Sequence, residues 1–207
     1  MASPTTPPTA LALNCTLKPS PADSSTDVLL SQVMTQLGSH GVTGTTVRVV
    51  DRDVRPGVET DMGDGDGWPK IRELVLAADI LVIGTPIWMG HMSSIAQRVL
   101  ERLDAELSET DDQGRPILFD KVAAVAVVGN EDGAHHATAE LYQGLVDVGF
   151  TVAAQAATYW NGEAMQKVDY RDLVETPEAV ANATEILART TAHLARALRA
   201  QPYPAGG

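Results

Sequence analysis

The chain reads as an α/β protein whose parallel sheet is covered by helices on both faces. Three observations carry this reading. Strand-like and helix-like stretches alternate along the sequence through five βα units. Residues 80–83, Ile-Leu-Val-Ile, form a short apolar run with no polar alternation, the pattern of a strand buried on both sides. The 207-residue length is that of one generous domain, enough to bury a single core. Regular βα alternation brings right-handed crossovers and ligand sites at the carboxyl ends of the strands.

Taken in order, a strand over residues 10–14 leads into a helix over 26–37, for which Ser24 to Thr26 supply capping hydroxyls. A strand follows over 45–50, then a helix over 68–77. The strand over 80–83 is stopped by Gly84-Thr85-Pro86. From Ser94 the pattern becomes helical, with Ser94 and Gln97 spaced as a capping box and Ile95, Val99 and Leu103 as an apolar stripe. The remaining elements are a strand over 122–128, a helix over 134–148, a strand over 151–154 and a long helix from 177 to about 199. Two connections are long, 51–67 and 156–176, and loops of that length in a compact domain are functional or mobile. Residues 1–9 and 201–207 read as disordered tails around one domain spanning 10–200.

Composition excludes several function classes. A formal net charge of −12 opposes non-specific binding to nucleic acid or anionic membranes. No apolar run is long enough to cross a bilayer, and residues 1–9 hold no cation of the kind a signal peptide begins with. The single cysteine, Cys15, can form no internal disulfide, which suits a reducing compartment, and a cytoplasmic location is expected.

Three loops at strand carboxyl ends carry the chemistry. The first, residues 14–26, offers hydroxyls, the Lys18 ammonium and a helix N-terminus, a combination that binds a phosphate or simply caps the helix. It lacks the Walker pattern, and Pro21 stands where a cysteine phosphatase would need its arginine, so Cys15 reads as a loop-filling residue. The second loop, 85–92, carries Trp88 in a position suited to a flat aromatic guest, or to filling a gap in the packing. The third, 129–136, brings Asn130, Asp132 and the backbone N–H groups of the next helix, which can bond the polar edge of a heteroaromatic ring; alternatively Asp132 caps that helix.

Glu131, Asp132, His135, His136 and Glu140 raise a metal reading, with His136 and Glu140 at i, i+4. Adjacent histidines point to different helix faces and no third ligand stands at a telling spacing, so no metal site is expected. The Gly63-Asp64-Gly65-Asp66-Gly67 run follows no strand and lacks the closing Glu of a calcium loop, and reads as a flexible turn.

Together the three loops resemble those of the flavodoxin-like NAD(P)H-dependent FMN reductases. The likeness spans roughly residues 11–198, and its most specific parts are Thr85-Pro86-Ile87-Trp88-Met89-Gly90 and Val128-Gly129-Asn130-Glu131-Asp132-Gly133-Ala134. The family's first loop commonly begins Gly-Ser-x-Arg; the similar positions here are Cys15-Thr16-Leu17-Lys18, which keep the hydroxyl and the positive charge but not the glycine. The resemblance implies a flavodoxin-like, doubly wound sheet of five parallel strands in the order 2-1-3-4-5. It implies that Thr16, Lys18, Ser24, Ser25 and Thr26 hold the FMN phosphate, and that Pro86, Ile87, Trp88, Met89 and Gly90 hold the isoalloxazine together with Asn130, Glu131, Asp132 and Gly133. It further implies NAD(P)H as co-substrate, a small acceptor such as a quinone or free flavin, and a homodimer or homotetramer.

With the flavin carrying the redox chemistry no catalytic side chain is required, although His91 and Glu131 stand near enough to hydrogen-bond a substrate. Tyr159 and Trp160 are expected to cover the open flavin face, reach across a subunit interface, or pack in the core. Two rival readings stay open: a flavodoxin-type single-electron carrier, against which Lys18 and the single loop aromatic argue, and a flavin-binding module without turnover.

Overall fold

Five parallel strands form the sheet of the computed structural model, which describes residues 6–164 and 166–205. The strands are β1 (Thr9–Asn14), β2 (Thr43–Arg48), β3 (Ile80–Trp88), β5 (Val122–Gly129) and β6 (Thr151–Asn161), and they lie in the order β2-β1-β3-β5-β6. This is the expected doubly wound order once β4 (His91–Met92), a two-residue antiparallel strand on β3, is set aside. The helices are α1 (Ser25–Ser39), α2 (Trp68–Ala77), α3 (Ser94–Leu103), α4 (Ala134–Asp147) and α5 (Glu178–Ala200).

Alternate residues of the central strands build two cores. Ala10, Ala12, Ile80, Val82, Val122 and Ala124 face α1 and α5. Leu11, Leu13, Leu81, Ile83, Ala123 and Val125 face α2, α3 and α4. Both sides being apolar is why these strands show no polar alternation. No described helix is long and apolar enough to cross a membrane.

Several boundaries differ from the sequence reading. β3 does not stop at Gly84-Thr85-Pro86: these residues pair with Ala126, Val127 and Val128 of β5, so the strand runs on to Trp88. It then turns back through Met89 (φ 53°) and Gly90 (φ 78°), a two-residue turn with both residues left-handed, and His91 pairs with Trp88. The expected loop is therefore a hairpin. β6 likewise continues past residue 154, because a bulge opposite Ala123–Val125, with Gln155 at φ 54°, restores the register at Ala157. β2 ends at Arg48, and Val49–Asp51 forms a 3₁₀ turn. The N-cap of α3 is Ser93, one residue before the predicted box, and its side chain accepts from the N–H of Ala96.

The acidic turn at 63–67 is anchored. The Asp66 side chain is fully buried, 2.7 Å from the equally buried Arg102 guanidinium, and accepts from the N–H groups of Arg55, Met62 and Trp68. Burial raises its pKa, but those four donors outweigh burial and hold it down at about 2. Arg102 lies over the Trp68 ring, 5.6 Å from its centroid.

Parts of both expected tails make side-chain contacts. Arg199 donates to the Thr6 hydroxyl, and Tyr203 donates its N–H to Asp120 while its ring lies 5.4 Å from Phe119. Residues 1–5 and 206–207, the outer parts of those tails, lie outside the described residues.

Candidate functional site

The three loops meet at the carboxyl edge of the sheet, beside the β1/β3 boundary where the crossover direction reverses. One cleft there is lined by Thr16, Leu17 and Lys18, by Ser24, Ser25 and Thr26, by Pro86, Ile87 and Trp88, and by Val128, Gly129 and Asn130. Strand order alone puts a ligand at this point, because adjacent loops diverge to opposite faces and leave a crevice. A shallower apolar depression between β1, β2 and α2 lies at the strands' amino ends and is lined by no charged side chain.

At the first loop, Asn14 ends β1 buried and organises the turn, its Oδ1 accepting from the Thr16 N–H at 3.1 Å and its Nδ2 donating to Asp27 at 2.8 Å. Arg48 from β2 pairs with the other Asp27 oxygen at 3.3 Å, so the acidic residue in the first turn of α1 is neutralised away from the cleft. The Thr16 hydroxyl accepts from the Lys18 N–H. Ser24 is the N-cap of α1, its side chain accepting from the Asp27 N–H, and the N–H groups of Ser25 and Thr26 before it have no partner within the helix. Lys18 is exposed, and its ammonium has no protein partner among the described residues. Cys15 is fully buried; burial pushes its thiol pKa far up, which fits a packing role and not a nucleophile.

Ser93 ties this loop to the second. Its hydroxyl donates to the Cys15 carbonyl at 2.6 Å, and its N–H donates to the Thr85 hydroxyl at 2.9 Å. The β3–β4 hairpin projects beyond, with Trp88 half exposed at 52% and Met89 at 88%. Its turn is fixed from the third loop: Glu131 accepts from the Met89 N–H at 3.1 Å, and a side chain on Gly133 would meet the Gly90 carbonyl at 2.5 Å. Gly133, at φ 130°, is the N-cap of α4, and Asp132 accepts the Gly133 N–H without capping the helix.

Of the residues singled out from sequence, Thr16, Lys18, Ser24, Ser25, Thr26, Pro86, Ile87, Trp88 and Asn130 line the cleft. Met89, Gly90, Glu131, Asp132 and Gly133 are absent from the lining and form the contact between hairpin and third loop. Asp169 joins the lining and accepts from the Asn130 amide at 3.3 Å. It comes from the long connection before α5, where it forms a capping box with Asp172 at the 3₁₀ turn Tyr170–Asp172. Tyr159 and Trp160 do not line the cleft: Tyr159 bonds His135 at 3.0 Å, and Trp160 packs on Tyr170 at 5.5 Å.

The donor set suits a flavin mononucleotide. Hydroxyls, a free ammonium and helix N–H groups stand on one side of the cleft, an apolar wall of Ile87, Trp88 and Val128 and the Asn130 amide on the other. The family model described as NADPH-dependent FMN reductase matches residues 8–164. The chain belongs to that family. That family is one of flavin-dependent oxidoreductases that pair FMN with NADPH.

Among curated proteins it is similar to 8-demethyl-8-aminoriboflavin-5'-phosphate synthase of Streptomyces davaonensis, 34% identical over 204 residues, covering 94% of this chain and 79% of that protein. It is also 38% identical over 167 residues to the divalent metal cation transporter MntH of Mycobacterium bovis, a match covering 79% of this chain but only 24% of the transporter's length. Among solved structures, RosB with bound 8-demethyl-8-formylriboflavin-5'-phosphate superposes with a TM-score of 0.85 at 33% identity, over 95% of this chain and 82% of that one.

Proposed function

We propose that residues 10–200 act as one flavodoxin-like domain that takes hydride from NAD(P)H through bound FMN and delivers it to a small flat acceptor such as a quinone or free flavin. The observation that supports this most directly is the junction of a phosphate-type loop and an aromatic hairpin in one cleft. Thr16, Ser24, Ser25, Thr26 and the first turn of α1 would bind the phosphate by hydrogen bonds, and Lys18 would add charge. Ile87, Trp88 and Asn130 would orient the ring, with Glu131 and Gly133 holding the hairpin that carries Trp88. When bound, FMN supplies two-electron chemistry. No side chain is assigned a proton-transfer role, and we place the protein in the cytoplasm as a homodimer or homotetramer.

A second reading is favoured by the similarity to a synthase of a modified riboflavin phosphate: the bound flavin would itself be the substrate. Anaerobic titration of the purified flavoprotein with NADH and NADPH, followed by addition of quinone, tests the first reading. Stoichiometric bleaching and recovery of unaltered FMN are expected. A flavin of changed mass after turnover identifies the second, and failure of either nucleotide to reduce the bound flavin overturns the reductase assignment.

A further inference from the structure

Beside the cleft, β4 and α4 bring together three groups that stand far apart in sequence. His91 Nδ1 lies 3.0 Å from His136 Nε2 and 3.4 Å from Glu140 Oε1, and His136 Nε2 lies 3.4 Å from the same Glu140 oxygen. His136 and Glu140 share one face of α4 at i, i+4, and His91 reaches them because the hairpin folds β4 back beside Trp88.

Two neutral imidazoles and a carboxylate cannot satisfy all three edges of this triangle by hydrogen bonding alone. A proton on His136 Nε2 can point toward the other two atoms, but the His91–Glu140 edge then sets an imidazole lone pair against a carboxylate oxygen. A proton on His91 Nδ1 leaves the mirror problem. A cation at the centre satisfies all three edges. Ligands about 2.0–2.1 Å from a tetrahedral zinc lie about 3.3 Å apart, close to the separations found here. The second Glu140 oxygen is buried and has no hydrogen-bond partner among the described residues, so the carboxylate beside the two imidazoles is left under-satisfied without a further partner.

We propose that His91, His136 and Glu140 form a divalent transition-metal site, zinc in class, clamping the β3–β4 hairpin to α4. Two imidazoles and one carboxylate are the donor set of open zinc sites, whereas magnesium and calcium take oxygen ligands. Both histidine side chains are more than half exposed, so a fourth position faces solvent. Binding would restrain the hairpin on which Trp88 stands. The site rests on these three side chains and does not depend on the flavin reading.

The full-length protein, treated with chelator and dialysed, is titrated with Zn²⁺ by calorimetry and with Co²⁺ by visible absorption. One equivalent of each metal is expected, with the d–d bands of a tetrahedral cobalt site and a raised thermal midpoint. His91→Ala, His136→Ala and Glu140→Gln should each lower affinity at least tenfold and abolish the cobalt bands while retaining the native circular dichroism. His135→Ala, one residue outside the triangle and bonded to Tyr159, should bind as the parent does. Equal Zn²⁺ affinity in the parent and His136→Ala, an equal loss in His135→Ala, or cobalt spectra of octahedral type would each overturn the site.

Discussion

Lys18 and Trp88 separate two kinds of recognition in one cleft. Lys18 is exposed, so a charge-assisted bond to phosphate is screened, and Lys18→Ala should weaken FMN binding by about 1 kcal/mol. Riboflavin, lacking the phosphate, should bind that variant as well as the parent. Trp88→Ala should instead weaken FMN and riboflavin alike, by about 1 kcal/mol, because an aromatic contact reads the ring alone. Fluorescence-quenching titrations of both ligands against both variants check the pair; equal losses for FMN and riboflavin in Lys18→Ala would show that this residue supports the loop and does not read the phosphate. Both residues were legible in the sequence, since a hydroxyl-rich loop before a helix and a lone aromatic after a buried strand are local patterns. Asp169 was not, because nothing near it in sequence records that Asn130 bonds it.

At the level of elements, two contacts hold the site's frame. Gly133 adopts φ 130° and would place a side chain 2.5 Å from the Gly90 carbonyl, so Gly133→Ala should cost about 2 kcal/mol and loosen the hairpin. Gly63, at φ 93° with nothing within 4 Å of its would-be side chain, offers the comparison: Gly63→Ala carries backbone strain without the clash and should cost about 1 kcal/mol. Urea denaturation of both variants measures the difference. The loop before α2 depends on Asp66, and Asp66→Asn leaves the buried Arg102 without its counter-charge, an expected loss of about 3 kcal/mol at neutral pH. Because the folded carboxyl titrates at about 2 and not at its ordinary 3.8, the parent's advantage is complete above pH 5 or so and fades as pH falls through that window. Stability curves for parent and variant should therefore converge toward pH 2, and a constant gap would deny the ion pair its role. The alternation of glycine and aspartate suggested a flexible turn because Arg102, the partner that buries Asp66, lies on α3, remote in sequence.

For the whole molecule, the open cleft predicts kinetics as well as binding. With Trp88 the only aromatic among the described residues of its lining and Tyr159 and Trp160 turned to other partners, nicotinamide and acceptor would share one exposed face in turn. Initial rates with NAD(P)H and quinone varied together should give parallel double-reciprocal lines; intersecting lines would require both to bind at once. By itself the sequence determined the α/β class, the alternation of elements and the three loops, because apolar runs, helical stripes and capping hydroxyls act over a few residues. Trp68–Ala77 was read to the residue for that reason. The continuation of β3 through Gly84-Thr85-Pro86 and of β6 past its bulge was decided only when β5 lay between them, since a neighbouring strand supplies the hydrogen bonds that override local stop signals. The meeting of His91 with His136 and Glu140 was decided the same way. A left-handed turn at Met89 and Gly90 and the packing of that turn on Gly133 bring them together, and contacts between residues so far apart leave no spacing in the chain.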